Sequence, residues 1–418
     1  MHRTFRLLTI FILAVTLFAG CGAPDSPAPP DESVAPAAQS SVETATTEPT
    51  ANPTPDDPAA YAPTPVEAQA DAPVAVTVAN VGYGDAILVQ LGEQNFLIDT
   101  GAKKAGIQLL RALAMRGVEQ LDGVFLTHTH SDHIGGMETV AQRYEIGTIY
   151  AAEITQDRKK IDKLADELGL NLERLTAGDK VQTASGAAFE VLGPIAFNAD
   201  DDNDNSLVLR LKAGGLTWLF TGDMQFDEEI SLMNAGIDLK TDVLKVGNHG
   251  NPDATSGAFG KAVSPKAAVI STSTVEDDDS ANPRVLSALM DADIYITQDY
   301  GLGVLMTAEN GVLSVTDPQP PAAPDSVSIA IDAKEQTATL TASADLDLSG
   351  WFIYSEKGNE LFVFPQNTKL EAGKPLIVAC RGGAGHLIWD DKKVWSDKDG
   401  EAGVLYTSGG AQAARSGA

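Results

Sequence analysis

An apolar run, Gly123-Val124-Phe125-Leu126-Thr127, delivers the chain directly into His128-Thr129-His130-Ser131-Asp132-His133. Of all the stretches in the sequence, this one restricts the fold most. Residues two apart at a strand end point to the same side, so His128 and His130 can offer imidazoles to one ion. Asp132 and His133, from the turn and the start of the next helix, can serve a second ion a few Å away. Both residue types are needed, because neutral imidazole suits borderline divalent ions while carboxylate adds charge compensation.

The surrounding pattern is compatible with such a strand end. Alternating, β-branched runs predict strands at 74–81, 86–91 and 96–98, and helical spacing follows at 107–115. Further on come a hairpin over 206–220 around Gly214-Gly215, a helix at 226–234, strands at 242–246 and 267–271, and a last hairpin around Asn310-Gly311. Strands in series with interspersed helices predict an α/β sandwich of two sheets covered by helices. A Pro-rich break at 316–325 divides this unit, 74–315, from a second one at 326–418. Short strands at 327–331, 337–341, 350–354, 360–364 and 375–379 make the second unit an expected all-β sandwich, with Trp351 and Trp395 in its core.

The first unit resembles the metallo-β-lactamase fold superfamily, and the resemblance extends beyond the hexad. Asp99 in Leu97-Ile98-Asp99-Thr100-Gly101 fits the family's first aspartate, and Asp223 in Thr221-Gly222-Asp223 fits its metal-bridging aspartate. His249 in Val246-Gly247-Asn248-His249-Gly250 fits the late histidine of the second ion. Val81-Gly82-Tyr83-Gly84-Asp85-Ala86 and Asn203-Asp204-Asn205-Ser206-Leu207-Val208 resemble the ComEC-like competence branch. The resemblance implies an αββα fold holding one or two divalent ions, zinc or alternatively manganese. His128, His130 and Asp223 are the implied ligands of the first ion, and Asp132, His133, Asp223 and His249 those of the second.

Two departures thin this pattern. No histidine lies between His133 and His249 to act as the superfamily's middle ligand, and Asn248 and Asn282 stand where the branch tends to have histidines. Asp132, Asp99, Asn205 and Lys245 are the candidate catalytic residues. Asp99 either caps its Asp-Thr-Gly turn or holds a ligand histidine. Asp223 could instead cap the helix at 226–234, and His249 could lie on the surface. Asn203, Asn205 and Ser206 either close an acidic loop or aim donors at a phosphoryl oxygen, and Lys245 either snorkels or meets substrate anion.

The remaining segments bear on location. Basic residues, a short apolar run at 7–18 and Ala19-Gly20-Cys21 resemble a bacterial lipoprotein signal at 1–20. This implies lipidation at Cys21 and an extracytoplasmic protein anchored to the cell membrane. Residues 21–73 are rich in Pro, Ala, Thr and acids and read as a disordered tether. Asp347-Leu348-Ser349-Gly350-Trp351 and Val394-Trp395-Ser396 resemble a lamin-tail domain, an immunoglobulin-like module that implies a cell-surface partner. With 58 acidic against 29 basic residues and a formal charge of -29, the chain has no strong basic face for nucleic acid.

These readings converge on a surface-anchored hydrolase of a phosphodiester, using a hydroxide generated at the metal. The alternatives are another ester substrate (a phosphorylcholine ester, a lactone or a thioester) or a non-catalytic surface binder that retains a degenerate metal site.

Overall fold

The computed structural model describes residues 72–396 and 401–417. The lipoprotein-like signal, Cys21 and the tether up to residue 71 lie outside the described residues. No helix among the described residues is long and apolar enough to cross a membrane.

Two sheets form the centre of the first unit. The eight-stranded one runs Val312–Thr316, Gly303–Glu309, Val74–Ala79, Ile87–Leu91, Gln94–Ile98, Gln120–Leu126, Glu145–Ala152 and Asn171–Leu175 in spatial order. The seven-stranded one runs Asp293–Ile296, Ala267–Ile270, Val243–Lys245, Leu216–Phe220, Val208–Ala213, Ala188–Gly193 and Lys180–Gln182. Their inner faces share one core of Val76, Val89, Phe96, Phe125, Phe189, Leu209 and Trp218 among others. On the outer face of the first sheet, the helix Gly106–Met115 buries Leu109, Leu110 and Leu113 against Leu97 and Val124. The helices Phe226–Asn234, Gly257–Val263 and Pro283–Ala288 cover the second sheet through Leu232, Phe259 and Val285. The result is four layers, helix, sheet, sheet, helix, because each sheet has two apolar faces to cover.

Each sheet changes character part-way across, and that change places the site. Gln94–Ile98 pairs antiparallel with Ile87–Leu91 but parallel with Gln120–Leu126. Leu216–Phe220 likewise pairs antiparallel with Val208–Ala213 and parallel with Val243–Lys245. At such a switch the loops leaving neighbouring strands diverge, opening a crevice at the strands' carboxyl ends. The hexad follows Gln120–Leu126, Asp99 follows Gln94–Ile98, Asp223 follows Leu216–Phe220, and His249 follows Val243–Lys245.

The C-terminal part contains a four-stranded sheet of Val327–Asp332, Thr337–Ala342, Leu376–Cys380 and Leu387–Trp389. A second comprises Leu361–Val363, Phe352–Ser355, Gly403–Tyr406 and Gln412–Arg415. Leu340, Val378, Ile353, Leu405, Trp351 and Trp395 share its core. The two middle strands of this second sheet seat on the helix Gly106–Met115, where Phe352, Tyr354, Val404 and Tyr406 bury Ala114. Arg111 Nε donates to the Gly410 carbonyl at 3.0 Å, and the Arg143 guanidinium lies 4.4 Å from the Phe352 ring centroid. A Cβ on Gly410 would stand 2.5 Å from the Arg111 carbonyl oxygen, so the backbone contact there is direct.

Candidate metal centre

Asp99 has left-handed backbone (φ 58°) and turns its carboxylate back toward the neighbouring strand. It accepts from Thr127 N at 2.8 Å, from Thr127 Oγ1 at 2.7 Å and from His133 Nδ1 at 2.8 Å. Of the two roles open to Asp99 from its sequence, the contacts support holding a ligand histidine.

Proton positions follow from these partners. The single Thr127 hydroxyl hydrogen goes to the Asp99 carboxylate, so His128 Nδ1, 3.0 Å from that oxygen, is the donor of its pair. His249 Nδ1 lies 2.8 Å from the Ser271 carbonyl, which can only accept. Asp99 likewise fixes Nδ1–H of His133. All three imidazoles therefore present Nε2 away from these anchors, and the anchoring bonds set both tautomer and ring orientation.

The Nε2 atoms meet carboxylates. His133 Nε2 is 2.9 Å and His249 Nε2 is 3.2 Å from Asp223 Oδ2, while their distances to Asp132 Oδ2 are 3.7 and 3.4 Å. Ligand atoms about 2.1 Å from a tetrahedral ion stand roughly 3.4 Å apart, and these four distances bracket that value. His128 Nε2, His249 Nε2 and Asp223 Oδ1 are buried with no hydrogen-bond partner. Leaving such atoms bare is costly, and a cation at this group gives His249 Nε2 and the Asp223 carboxylate a partner. Asp132, His133, Asp223 and His249 thus fit a divalent ion.

The first-ion ligands expected from the sequence are only partly assembled around the same aspartate. His128 Nε2 is 3.9 Å from Asp223 Oδ2. The half-exposed His130 has its ring centroid 4.6 Å from that of His128, and neither residue joins the close four-residue group. Ser206 fills the space between His128 and Asp223, with Oγ 3.3 Å from His128 Nδ1 and accepting from Asp223 N at 3.1 Å.

Electrostatics follow the same arrangement. Burial opposes charge on His249, but Asp223 and Asp132 outweigh it and push the imidazole up to about 9. Burial also raises Asp132, yet His249 and His133 hold its carboxyl at about 2. His128 is held well below its ordinary value by burial and by His133, and so keeps Nε2 as a free lone pair.

Two candidate catalytic residues have their polar groups committed inside the protein. Asn205 is fully buried, and its amide is committed to the loop: Nδ2 donates to the Asn198 carbonyl at 2.9 Å, and Oδ1 accepts from Asn198 N at 2.8 Å. Lys245 is buried, with Nζ 2.8 Å from Asp85 Oδ2 and donating to the Val246 carbonyl at 2.7 Å. Neither group is free to meet substrate. The two asparagines at the thinned positions also have structural partners. Asn248 Nδ2 donates to Asp253 Oδ1 at 2.9 Å, and Asn282 Oδ1 caps a helix by accepting from Arg284 N at 3.0 Å.

Other residues of the centre escaped the sequence reading. Asp202 ties the hexad to the acidic loop by accepting from Thr129 N at 3.1 Å, from Thr129 Oγ1 at 2.6 Å and from Gln156 N at 2.7 Å. Tyr83 packs its ring 4.2 Å from that of His249. The glycines on either side of Tyr83 were the available signal, since Gly82 and Gly84 have φ of 76° and 143°.

Residues 79–274 match the family model described as Metallo-beta-lactamase superfamily. This part of the chain is a metallo-beta-lactamase superfamily domain. The chain is 30% identical over 259 residues to ComE operon protein 3 of Bacillus subtilis, covering 57% of this chain and 32% of that protein. It is 35% identical over 208 residues to Competence protein ComA of Neisseria gonorrhoeae, covering 49% and 28%. Exodeoxyribonuclease WalJ of Streptococcus pneumoniae is 26% identical over 144 residues, covering 33% and 53%. The chain therefore spans about a third of the two competence relatives and about half of the nuclease.

Proposed function

We propose that the domain is a metal-dependent hydrolase of phosphodiesters. The observation that carries this reading is the tetrahedral-edge spacing of Asp132, His133, Asp223 and His249, with His128 Nε2 bare beside the shared carboxylate. A closed structural site would enclose its ion in four ligands with nothing adjoining, whereas here a further imidazole pair borders the group. Divalent ions supply Lewis-acid chemistry at such a centre, activating water and neutralising charge on a phosphoryl oxygen. The protein's part is orientation. Asp99 and the Ser271 carbonyl fix the imidazoles of His133 and His249, Asp202 fixes the loop carrying Thr129, and Lys245 neutralises Asp85 behind His249.

The name of the WalJ relative, an exodeoxyribonuclease, supports a phosphodiester substrate for this chain. The balance of 58 acidic to 29 basic residues argues against long, charge-driven nucleic-acid tracking and for recognition at the metal centre itself. Anchoring through Cys21 on the outer side of the cell membrane, and surface attachment through a lamin-tail-like C-terminal module, belong to the same proposal.

The test is a hydrolysis panel on purified protein loaded with Zn, Mn or Mg, covering single-stranded DNA, RNA, an aryl phosphodiester, an aryl phosphorylcholine and a lactone. Turnover of a phosphodiester that a chelator abolishes is expected. Loaded protein inert across the panel would move the reading to a surface binder.

A further inference from the structure

We propose that the Tyr83 hydroxyl is a catalytic hydrogen-bond donor to a non-bridging oxygen of the phosphoryl group at the metal centre. The proposal rests on the phosphodiesterase reading of the site.

Tyr83 lies on a turn pressed against the ligand loop. Asp85 N donates to the Asp132 carbonyl at 3.2 Å, and a Cβ on Gly84 would stand 2.5 Å from that same oxygen. The ring is held against His249, with centroids 4.2 Å apart and planes tilted by 47°. Tyr83 is thereby fixed relative to two residues of the metal group, Asp132 and His249. It also lines an open cleft of about 600 Å³ with Lys104, Glu276 and Asp277, so the residue stands at the mouth rather than in the core.

Asn251 Nδ2 donates to the Tyr83 oxygen at 3.2 Å and takes up a lone pair. The phenolic hydrogen has no acceptor among the described residues. A phenol is protonated at neutral pH, so it can donate, and a preset donor aimed at developing negative charge lowers a barrier without reorganising.

Asn205 and Lys245, two of the donors expected from the sequence, are spent inside the protein on Asn198 and on Asp85 with the Val246 carbonyl. Lys104 pairs with Glu276 at 2.5 Å, and Lys160 Nζ donates to the Thr129 carbonyl at 2.6 Å. Tyr83 is an uncharged donor at the mouth. Its donor bond adds no positive charge to an acidic surface and would act only on an oxyanion already drawn to the ions.

The test uses full-length, metal-loaded protein and Tyr83→Phe, which keeps the ring on His249 and removes only the hydroxyl. Loss of one oxyanion donor costs about 10²–10³-fold in turnover. We expect kcat on an aryl phosphodiester to fall by about 10²-fold with KM and metal content unchanged, and orthophosphate to bind about tenfold more weakly by calorimetry, the loss of one charge-assisted bond. The fall in kcat should be the same for good and poor leaving groups. A kcat and an orthophosphate Kd both within about twofold of wild type would overturn the proposal, as would loss of metal from Tyr83→Phe, which would assign the residue to supporting His249. Wild-type protein that turns over no phosphodiester but binds orthophosphate in a Tyr83-dependent way would overturn the hydrolytic reading and leave the donor standing.

Discussion

Replacing Glu228 by Gln should stabilise the protein at alkaline pH and leave it nearly unchanged at acid pH. Glu228 lies in the first turn of the helix Phe226–Asn234 and is 2% exposed, its Oε1 accepting from Ile195 N at 2.9 Å. Burial raises the carboxyl from its ordinary 4.5 to about 7, with Asp204 adding to the rise and the Ile195 bond resisting it. Between those two values the native state binds more protons than the unfolded chain, so stability is greatest below the lower value and is lost as pH climbs through the upper one. At 1.36 kcal/mol per pH unit the full loss above pH ~7 has a ceiling of about 3 kcal/mol. Glu228 borders a cleft of about 300 Å³ that opens to water beside Phe197, Asp204 and Asp227, so screening should reduce this to about 1–2 kcal/mol. Gln keeps an acceptor for Ile195 N and cannot ionise. Thermal unfolding of both proteins at about pH 5 and about pH 8 reads the effect as a Tm gain of a few degrees for Glu228→Gln at the higher pH alone. A gain equal at both pH values, or none at pH 8, would show that Glu228 is not held protonated and would refute the reasoning.

Four further outcomes are expected. Asp223→Asn should lose most bound metal by elemental analysis after dialysis, because one carboxylate serves His133 and His249 and adjoins His128. Lys245→Met should cost about 3–5 kcal/mol of stability by leaving Asp85 buried and unpaired, and adding Asp85→Asn should recover much of that in the same unfolding assay. Asn248→His should lower Tm without raising activity, since Asn248 has a left-handed backbone (φ 42°) and its amide holds Asp253. Intact mass of the mature N-terminus should show diacylglycerol on Cys21, and Cys21→Ser should leave the precursor uncleaved.

The ligands were legible because strand-end chemistry leaves a local trace. A short apolar strand followed within three residues by Asp or His places a polar side chain at a sheet's carboxyl edge, and Asp99, His128 and Asp223 all follow that rule. His249 lies one step past it, since Val243–Lys245 is followed by a short helical turn in which Asn248 and His249 both take positive φ. The roles of Asn205 and Lys245 were not legible. A lysine on a short buried strand looks the same whether it reaches solvent or an internal aspartate, and its partner Asp85 is 160 residues away, hidden in a glycine-rich turn. Asp202 was lost in the run 200–205, where six polar residues look like a solvated loop although four of them, Asp202 to Asn205, are buried. Nor did the sequence reading divide the stretch after the hexad, where Glu145–Ala152 and Asn171–Leu175 extend the first sheet and Ala188–Gly193 the second. Period-two alternation is weak in strands covered on both faces, as the first and last of these become at their carboxyl ends.

The division of the ligands between the two sheets sets an order of events. His133 and Asp132 come from the short helix Ser131–Ile134 after Gln120–Leu126 in one sheet, and Asp223 and His249 follow Leu216–Phe220 and Val243–Lys245 in the other. Either half alone offers two of the four ligands, and chelation by two side chains on a mobile chain is weak. Tight ion uptake therefore waits until the sheets have met and Phe125, Phe189 and Trp218 have closed the core between them. Once bound, the ion ties the two sheets together at their open edge, so the rate at which metal escapes becomes a measure of how often that edge parts.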